Sequence, residues 1–109
     1  MPSAVVIAAY RPHPGKDGEF RGLLAQHARA LRDEGLITSR PTLVLRARDG
    51  TYLEIFEWVS DEAARSAHAR APIARLWETM AGAAEFVGLG VLEEAARPFS
   101  HFEPVELGA

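Results

Sequence analysis

The chain has 109 residues and a mass of 11.9 kDa, close to the commonest size of a single domain. Its formal net charge of −3 lacks the basic excess of nucleic-acid-binding surfaces, so no nucleic acid partner is expected. It contains no cysteine, which excludes disulfides, thiolate nucleophiles and cysteine-based metal or iron–sulfur sites.

No apolar run in the sequence approaches the roughly 20 residues that a membrane-spanning helix needs, so we expect no membrane segment. The apolar stretch at the start is short and lacks the basic region of a secretory signal peptide, which favours a strand instead. We expect a cytoplasmic protein with one domain over residues 1–109, in which residues 98–109 form a C-terminal tail.

The amino-terminal third of the chain predicts a strand followed by a helix. Residues 4–11 are β-rich and apolar, and the Pro-His-Pro-Gly sequence at 12–15 ends that strand. Apolar side chains then recur at helical spacing over about residues 16–34. Gly35 lies where a glycine commonly closes a helix, so the helix is expected to end there.

The middle of the chain predicts a β-hairpin. Residues 36–48 and 51–59 indicate two strands, and the Asp-Gly dipeptide at 49–50 between them is typical of a two-residue turn. Such a turn would place Leu45 opposite Glu54.

The carboxy-terminal half predicts a broken helix and a last strand. Ser60 followed by two acidic residues is a typical helix start, because its hydroxyl caps the first turn and the dipole favours acids there. The helix is expected to run to about Arg70, and Pro72 then breaks or restarts it. Apolar residues alternate with others over 87–91, which indicates a strand.

This β-α-β-β-α-β order predicts an α+β fold of the ferredoxin-like type, with a four-stranded antiparallel sheet and both helices on one face. Half-buried strands usually alternate, yet residues 5–9 and 52–59 are apolar on both faces. An exposed apolar sheet face would be a large adhesive patch, so we expect a homodimer through the sheet face. The alternative is that the tail covers the short strands.

Several short motifs resemble those of one known family. They are Pro-His-Pro-Gly-Lys at 12–16, Asp-Gly-Thr at 49–51, Leu-Glu-Ile-Phe-Glu-Trp at 53–58, Ser-Asp-Glu-Ala-Ala at 60–64, and His68 with the Leu-Trp pair at 76–77. Over nearly the whole chain the sequence resembles the antibiotic biosynthesis monooxygenase domain family, which includes quinol monooxygenase-like proteins.

The resemblance implies a dimeric α/β barrel whose pocket lies between the sheet and the helices. It also implies a monooxygenase that acts on a small phenol or quinol with oxygen and without a cofactor. Members of this family commonly use an asparagine to hold the substrate; this chain has none, so another side chain would have to serve. The alternative is a non-catalytic small-molecule-binding or stress-response protein on the same scaffold.

Two histidines are the candidate catalytic residues. His27 lies on the apolar face of the first helix, and His68 lies on the alanine-rich face of the second. An imidazole, with an ordinary pKa of about 6.5, suits proton abstraction at neutral pH. Alternatively, His27 is a core histidine with one hydrogen bond, and His68 stabilises the end of its helix. Because both helices are expected on the same side of the sheet, both histidines can border one cavity.

Four other side chains are candidates for binding an aromatic or apolar ligand: Glu54, Tyr52, Trp58 and Trp77. Glu54 lies in mid-strand between apolar neighbours, so we expect it to be at least partly buried. Burial alone would raise the pKa of such a carboxyl group and a nearby cation would lower it; the candidate cations are Arg46, Arg11 and Arg75. The aromatic residues could equally be core, although indole rings are rarely wholly buried. The remaining histidines lack the spacing of metal ligands, and no metal is expected.

Overall fold

The computed structural model describes residues 4–107, in which five strands form one antiparallel sheet. The strands are β1 Ala4–Pro12, β2 Leu43–Arg46, β3 Tyr52–Trp58, β4 Ala84–Val87 and β5 Glu103–Pro104, in the spatial order β4-β1-β3-β2-β5. The helices are α1 Asp17–Asp33, α2 Asp61–Ala67 and α3 Ala71–Ala83. The α+β class is confirmed, and the order β4-β1-β3-β2 is compatible with a ferredoxin-like arrangement. The predicted count of four strands is wrong, because the tail adds β5 at the edge beside β2.

Helix α1 follows the predicted apolar stripe. Its buried side chains are Phe20, Leu23, Leu24, His27 and Leu31, the spacing of one helix face. The helix ends as predicted at Gly35, whose φ of +70° favours glycine. The Gly35 and Leu36 N–H groups donate to the carbonyls of Arg32 and Leu31, each at 3.0 Å, which satisfies the last turn.

The hairpin between β2 and β3 has a longer loop than the sequence predicts. A backbone hydrogen bond of 2.8 Å closes the loop around residues 48–50, and Gly50 adopts a φ of +94° as the last of them. A loop of this length typically ends on a left-handed glycine. The extra residue shifts the register, so Glu54 lies opposite Val44 and the predicted pairing with Leu45 is wrong.

The predicted break in the second helical region is confirmed. The Ser60 hydroxyl accepts the Ala63 N–H at 3.1 Å at the start of α2, and α3 begins at Ala71 with Pro72 in its first turn. Both helices pack against the same sheet face as α1. Within residues 4–107, no helix is long and apolar enough to cross a bilayer.

A last strand after the helices is present, but its predicted position at 87–91 is wrong. Strand β4 spans Ala84–Val87, and the chain leaves the sheet at Gly88 to form two 3₁₀ turns, Leu89–Val91 and Glu93–Ala96. This path buries Leu92 against Ala9 and Leu53, which a strand continuing beside β1 would not do.

The sheet face opposite the helices, here called the outer face, is only partly covered. Residues 88–102 cross one half of it, where Leu92, which precedes the tail, packs on Ala9 and Leu53; from the tail itself Phe102 packs against this cluster. The other half exposes large apolar side chains: Leu43, Ile7 and Val5, which are 51%, 46% and 56% exposed.

Candidate functional site

A cleft of about 370 Å³ opens between the sheet and the helices. Strand β4 pairs only with residues 9–12 of β1, so the first part of β1 has no neighbouring strand on that side. The cleft lies beside this free edge, and its walls are largely aromatic, with Phe56, Trp58, Trp77 and Phe86 together with His27 and His68. Such a shape suits a small flat apolar ligand.

His27 uses both ring nitrogens in hydrogen bonds within the protein. Its Nδ1 lies 2.9 Å and 3.0 Å from the two carboxylate oxygens of Glu54, and the Trp77 indole N–H donates to its Nε2 across 2.9 Å. An indole N–H can only donate, so Nε2 carries no proton. The network therefore assigns the neutral tautomer with its proton on Nδ1, donated to Glu54.

Glu54 is fully buried on β3, beneath α1. It accepts the Tyr10 O–H at 2.7 Å in addition to the His27 Nδ1–H, so both neighbours donate to it and the carboxylate form fits the site. A carboxylate is tolerated in an apolar interior only when it is hydrogen-bonded in this way. Tyr10, Glu54, His27 and Trp77 are called the buried network below.

The arginines that the sequence suggested as candidate partners of Glu54 are not its partners in the structure. Among residues 4–107, the partners of this carboxylate are the Tyr10 hydroxyl and the His27 imidazole. Arg11 pairs instead with Asp49 at 3.1 Å, on the surface. Two neutral donors thus replace the cation that the sequence suggested.

Burial raises the pKa of Tyr10 far above its ordinary value, and the charge and hydrogen bond of Glu54 raise it further. The phenol of Tyr10 therefore stays protonated over the whole range in which the protein would work. It serves the site as a permanent hydrogen-bond donor to Glu54.

Trp77 lies between the two candidate catalytic histidines. Its indole bonds to His27 on one side, and the His68 ring packs edge-on against it with ring centroids 4.9 Å apart. His68 is exposed at the end of α2, and Trp58 packs on Phe56 in the same wall. The structure thus brings four of the predicted site residues together around one cleft.

The other two predicted site residues lie away from the cleft surface. Tyr52 is fully buried and donates its hydroxyl to Asp17 at 2.8 Å, at the other end of the sheet face. Glu54 does not line the cleft itself and reaches it through its partners His27 and Tyr10, which both do.

Tyr10 and Phe86 belong to the site but were missed by the sequence analysis. Strand alternation could have placed Tyr10 on the helix-facing side of β1, but its contact with Glu54 depends on the β1–β3 register, in which Ala8 lies opposite Glu54. Phe86 was missed because the last strand was predicted after it, at 87–91.

In the described range, residues 4–107, no group of three or more histidine, aspartate or glutamate side chains converges as metal ligands would. Comparisons of the chain with protein-family models, curated proteins and solved structures find no match. What the cleft can bind and do is therefore deduced from its own residues.

We predict that Tyr10→Phe lowers the free energy of unfolding at pH 7 by about 1–3 kcal/mol, because it leaves the buried Glu54 carboxylate with one donor fewer. Urea unfolding measures the loss. Tyr52→Phe is the control: its partner Asp17 is half-exposed, so water can replace the lost bond and the loss should be smaller. Equal losses in the two variants would contradict this role of Tyr10.

The same unfolding series above pH 10 gives a second readout. An unfolded tyrosine loses its proton near pH 10, whereas Tyr10 in the folded protein keeps it, so stability falls as pH rises. The slope is about 1.4 kcal/mol per pH unit for each such group. Tyr10→Phe should reduce the alkaline slope by about that amount, and an unchanged slope would show that Tyr10 ionises freely.

Proposed function

We propose that the cleft binds a small phenol or quinol and that the protein oxidises it with molecular oxygen, without a cofactor, as antibiotic biosynthesis monooxygenases do. The observation that carries this proposal is the His27–Glu54 pair beside the aromatic cleft. A histidine oriented by a buried carboxylate is a recurrent general-base arrangement.

The walls of the cleft support an aromatic ligand. Trp58, Trp77, Phe56 and Phe86 offer ring faces and edges to a flat molecule, and such contacts add to the gain from apolar burial. Exclusion of water by these rings would strengthen the hydrogen bonds inside the cleft.

In the proposed reaction, the substrate hydroxyl donates its proton to Nε2 of His27, and Glu54 stabilises the resulting imidazolium through Nδ1–H. The phenolate is electron-rich and passes an electron to oxygen. Overall, a phenol with a free ring carbon and one O₂ give a quinone and one water: the ring carbon exchanges its hydrogen for oxygen, the hydroxyl loses its hydrogen, and both hydrogens leave as water. The substrate supplies all four electrons.

We predict oxygen uptake with a panel of hydroquinones and naphthols, and loss of that uptake in the histidine variants. His27→Gln keeps a group that can hydrogen-bond Glu54 but removes the base, so the rate should fall by roughly 10²–10⁴. His68→Ala measures the contribution of the second histidine of the cleft to the rate. His13→Ala, outside the cleft, is the control. Added catalase distinguishes water from hydrogen peroxide as the product of oxygen.

Unchanged rates in both cleft variants would exclude the two histidines as bases. No oxygen uptake across the panel, with folded wild-type protein, would overturn the monooxygenase proposal.

One observation favours the second candidate, a non-catalytic binding protein. Both nitrogens of His27 are already bonded inside the protein, which is also what a core histidine looks like. Phenol binding without oxygen consumption would identify this function. Both tryptophans of the chain line the cleft, so intrinsic fluorescence reports that binding directly.

We also propose that two copies pack through the uncovered half of the outer face to form a homodimeric barrel. Val5, Ile7 and Leu43 leave an apolar strip there beside the covering segment, and a second copy presents the same strip in return. A two-fold partner would bury both strips at once.

Sedimentation equilibrium at micromolar concentration should give about twice the chain mass of 11.9 kDa. Leu43→Glu places a charge on the strip and should give a monomer, whereas Ala81→Glu, on the exposed side of α3, should remain dimeric. A wild-type monomer under these conditions would contradict the barrel.

A further inference from the structure

We infer that Trp77 gates the base: in the ligand-free protein its indole N–H occupies Nε2 of His27, and a substrate hydroxyl must displace it. This inference rests on the proposed function, since it assumes that a phenol binds in the cleft. Because only a hydroxyl donor competes with the indole for Nε2, Trp77 lowers the affinity for hydroxyl-bearing ligands relative to similar ligands that lack a hydroxyl.

The Trp77 indole and a substrate hydroxyl compete because Nε2 of His27 can accept only one of them. An unprotonated imidazole nitrogen has one lone pair in the ring plane and accepts one strong hydrogen bond. Trp77 holds that lone pair at 2.9 Å. The tautomer is set by Glu54 on the other side of the ring, so His27 cannot offer Nδ1 instead.

Trp77 has room to move. Its side chain packs on one side against the core but is only partly buried, and the cleft of about 370 Å³ adjoins it on the side of β1. On its other side lies the exposed His68 ring, which is not part of the packed core. A rotation of the indole therefore breaks its own bond to His27 but leaves the bonds of Glu54 to His27 and Tyr10 in place.

The displaced N–H has a use in the reaction. Once the substrate proton is on Nε2, the phenolate oxygen faces the new Nε2–H of His27 and lies near the freed indole N–H. Both groups are donors, and donors directed at a developing oxyanion stabilise it. Trp77 is thus a positioning residue in the free protein and a donor to the substrate after binding.

The test compares 1-naphthol with its methyl ether, 1-methoxynaphthalene, by calorimetry without oxygen. Trp77→Phe keeps a ring in the wall but removes the competing donor. We expect the ratio of the dissociation constants, ether over naphthol, to rise about tenfold, the effect of one hydrogen bond of about 1.4 kcal/mol. Trp58→Phe is the matched control, because that indole does not bond His27, and its ratio should stay near the wild-type value.

A second readout follows the indole proton itself. In the Trp58→Phe protein the one remaining indole N–H signal belongs to Trp77, since the chain has two tryptophans. Saturating 1-naphthol should shift this signal and speed its exchange with water, while the ether should leave it hydrogen-bonded and slow.

The outcomes separate the two proposals. If naphthol binds but the ratio in Trp77→Phe is unchanged, or the indole proton stays protected at saturation, the gate is overturned and phenol binding stands. If naphthol binds Trp77→Phe but not the wild type, the gate is supported in its strongest form. If it binds neither protein, the proposed function and the gate fail together.

Discussion

The structure depends on one buried carboxylate and on the donors that it requires. Glu54 has no contact with solvent, so its oxygens must be satisfied inside the protein, and Tyr10 and His27 do this. These contacts join β1, β3 and α1 at one point, and the bond from His27 to Trp77 adds α3. The network therefore ties two strands of the sheet to α1 and α3. An apolar side chain in place of Glu54 would fill the core but would not orient the Tyr10 hydroxyl and the His27 ring.

The early end of β4 at Val87 both opens the cleft and allows the following segment to cover part of the outer face. Because the chain leaves the sheet at Gly88, the first part of β1 keeps a free edge on which the aromatic cleft opens. The same departure carries Leu92 across the sheet to bury Ala9 and Leu53 on the other side. A longer β4 would close the cleft edge and expose the outer face, so one change of direction opens the cleft and covers part of the outer face.

Local patterns predicted the elements, whereas the contacts of the site required tertiary register. The apolar stripe and Gly35 define α1, and strand alternation alone puts Glu54 on the same face as Phe56. The partner of Glu54 could not be predicted, because a single loop residue sets the hairpin register and the position of α1 over β3 brings His27 to it. From the sequence, a general base and a core histidine at position 27 also could not be distinguished, because both would lie on the apolar face of the helix. Only the hydrogen bonds of His27 show that its Nδ1 carries the proton, which it donates to Glu54, and that its Nε2 accepts the Trp77 N–H.

The protonation state of His27 is the central claim, and nitrogen-15 NMR of its imidazole at neutral pH tests it most directly. The hydrogen-bond network predicts a protonated Nδ1, whose proton exchanges slowly because it is donated to Glu54, and an unprotonated Nε2. His68, which is exposed, provides an internal comparison with faster exchange. A proton found on Nε2 at neutral pH, either in the other neutral tautomer or in the doubly protonated ring, would contradict the account.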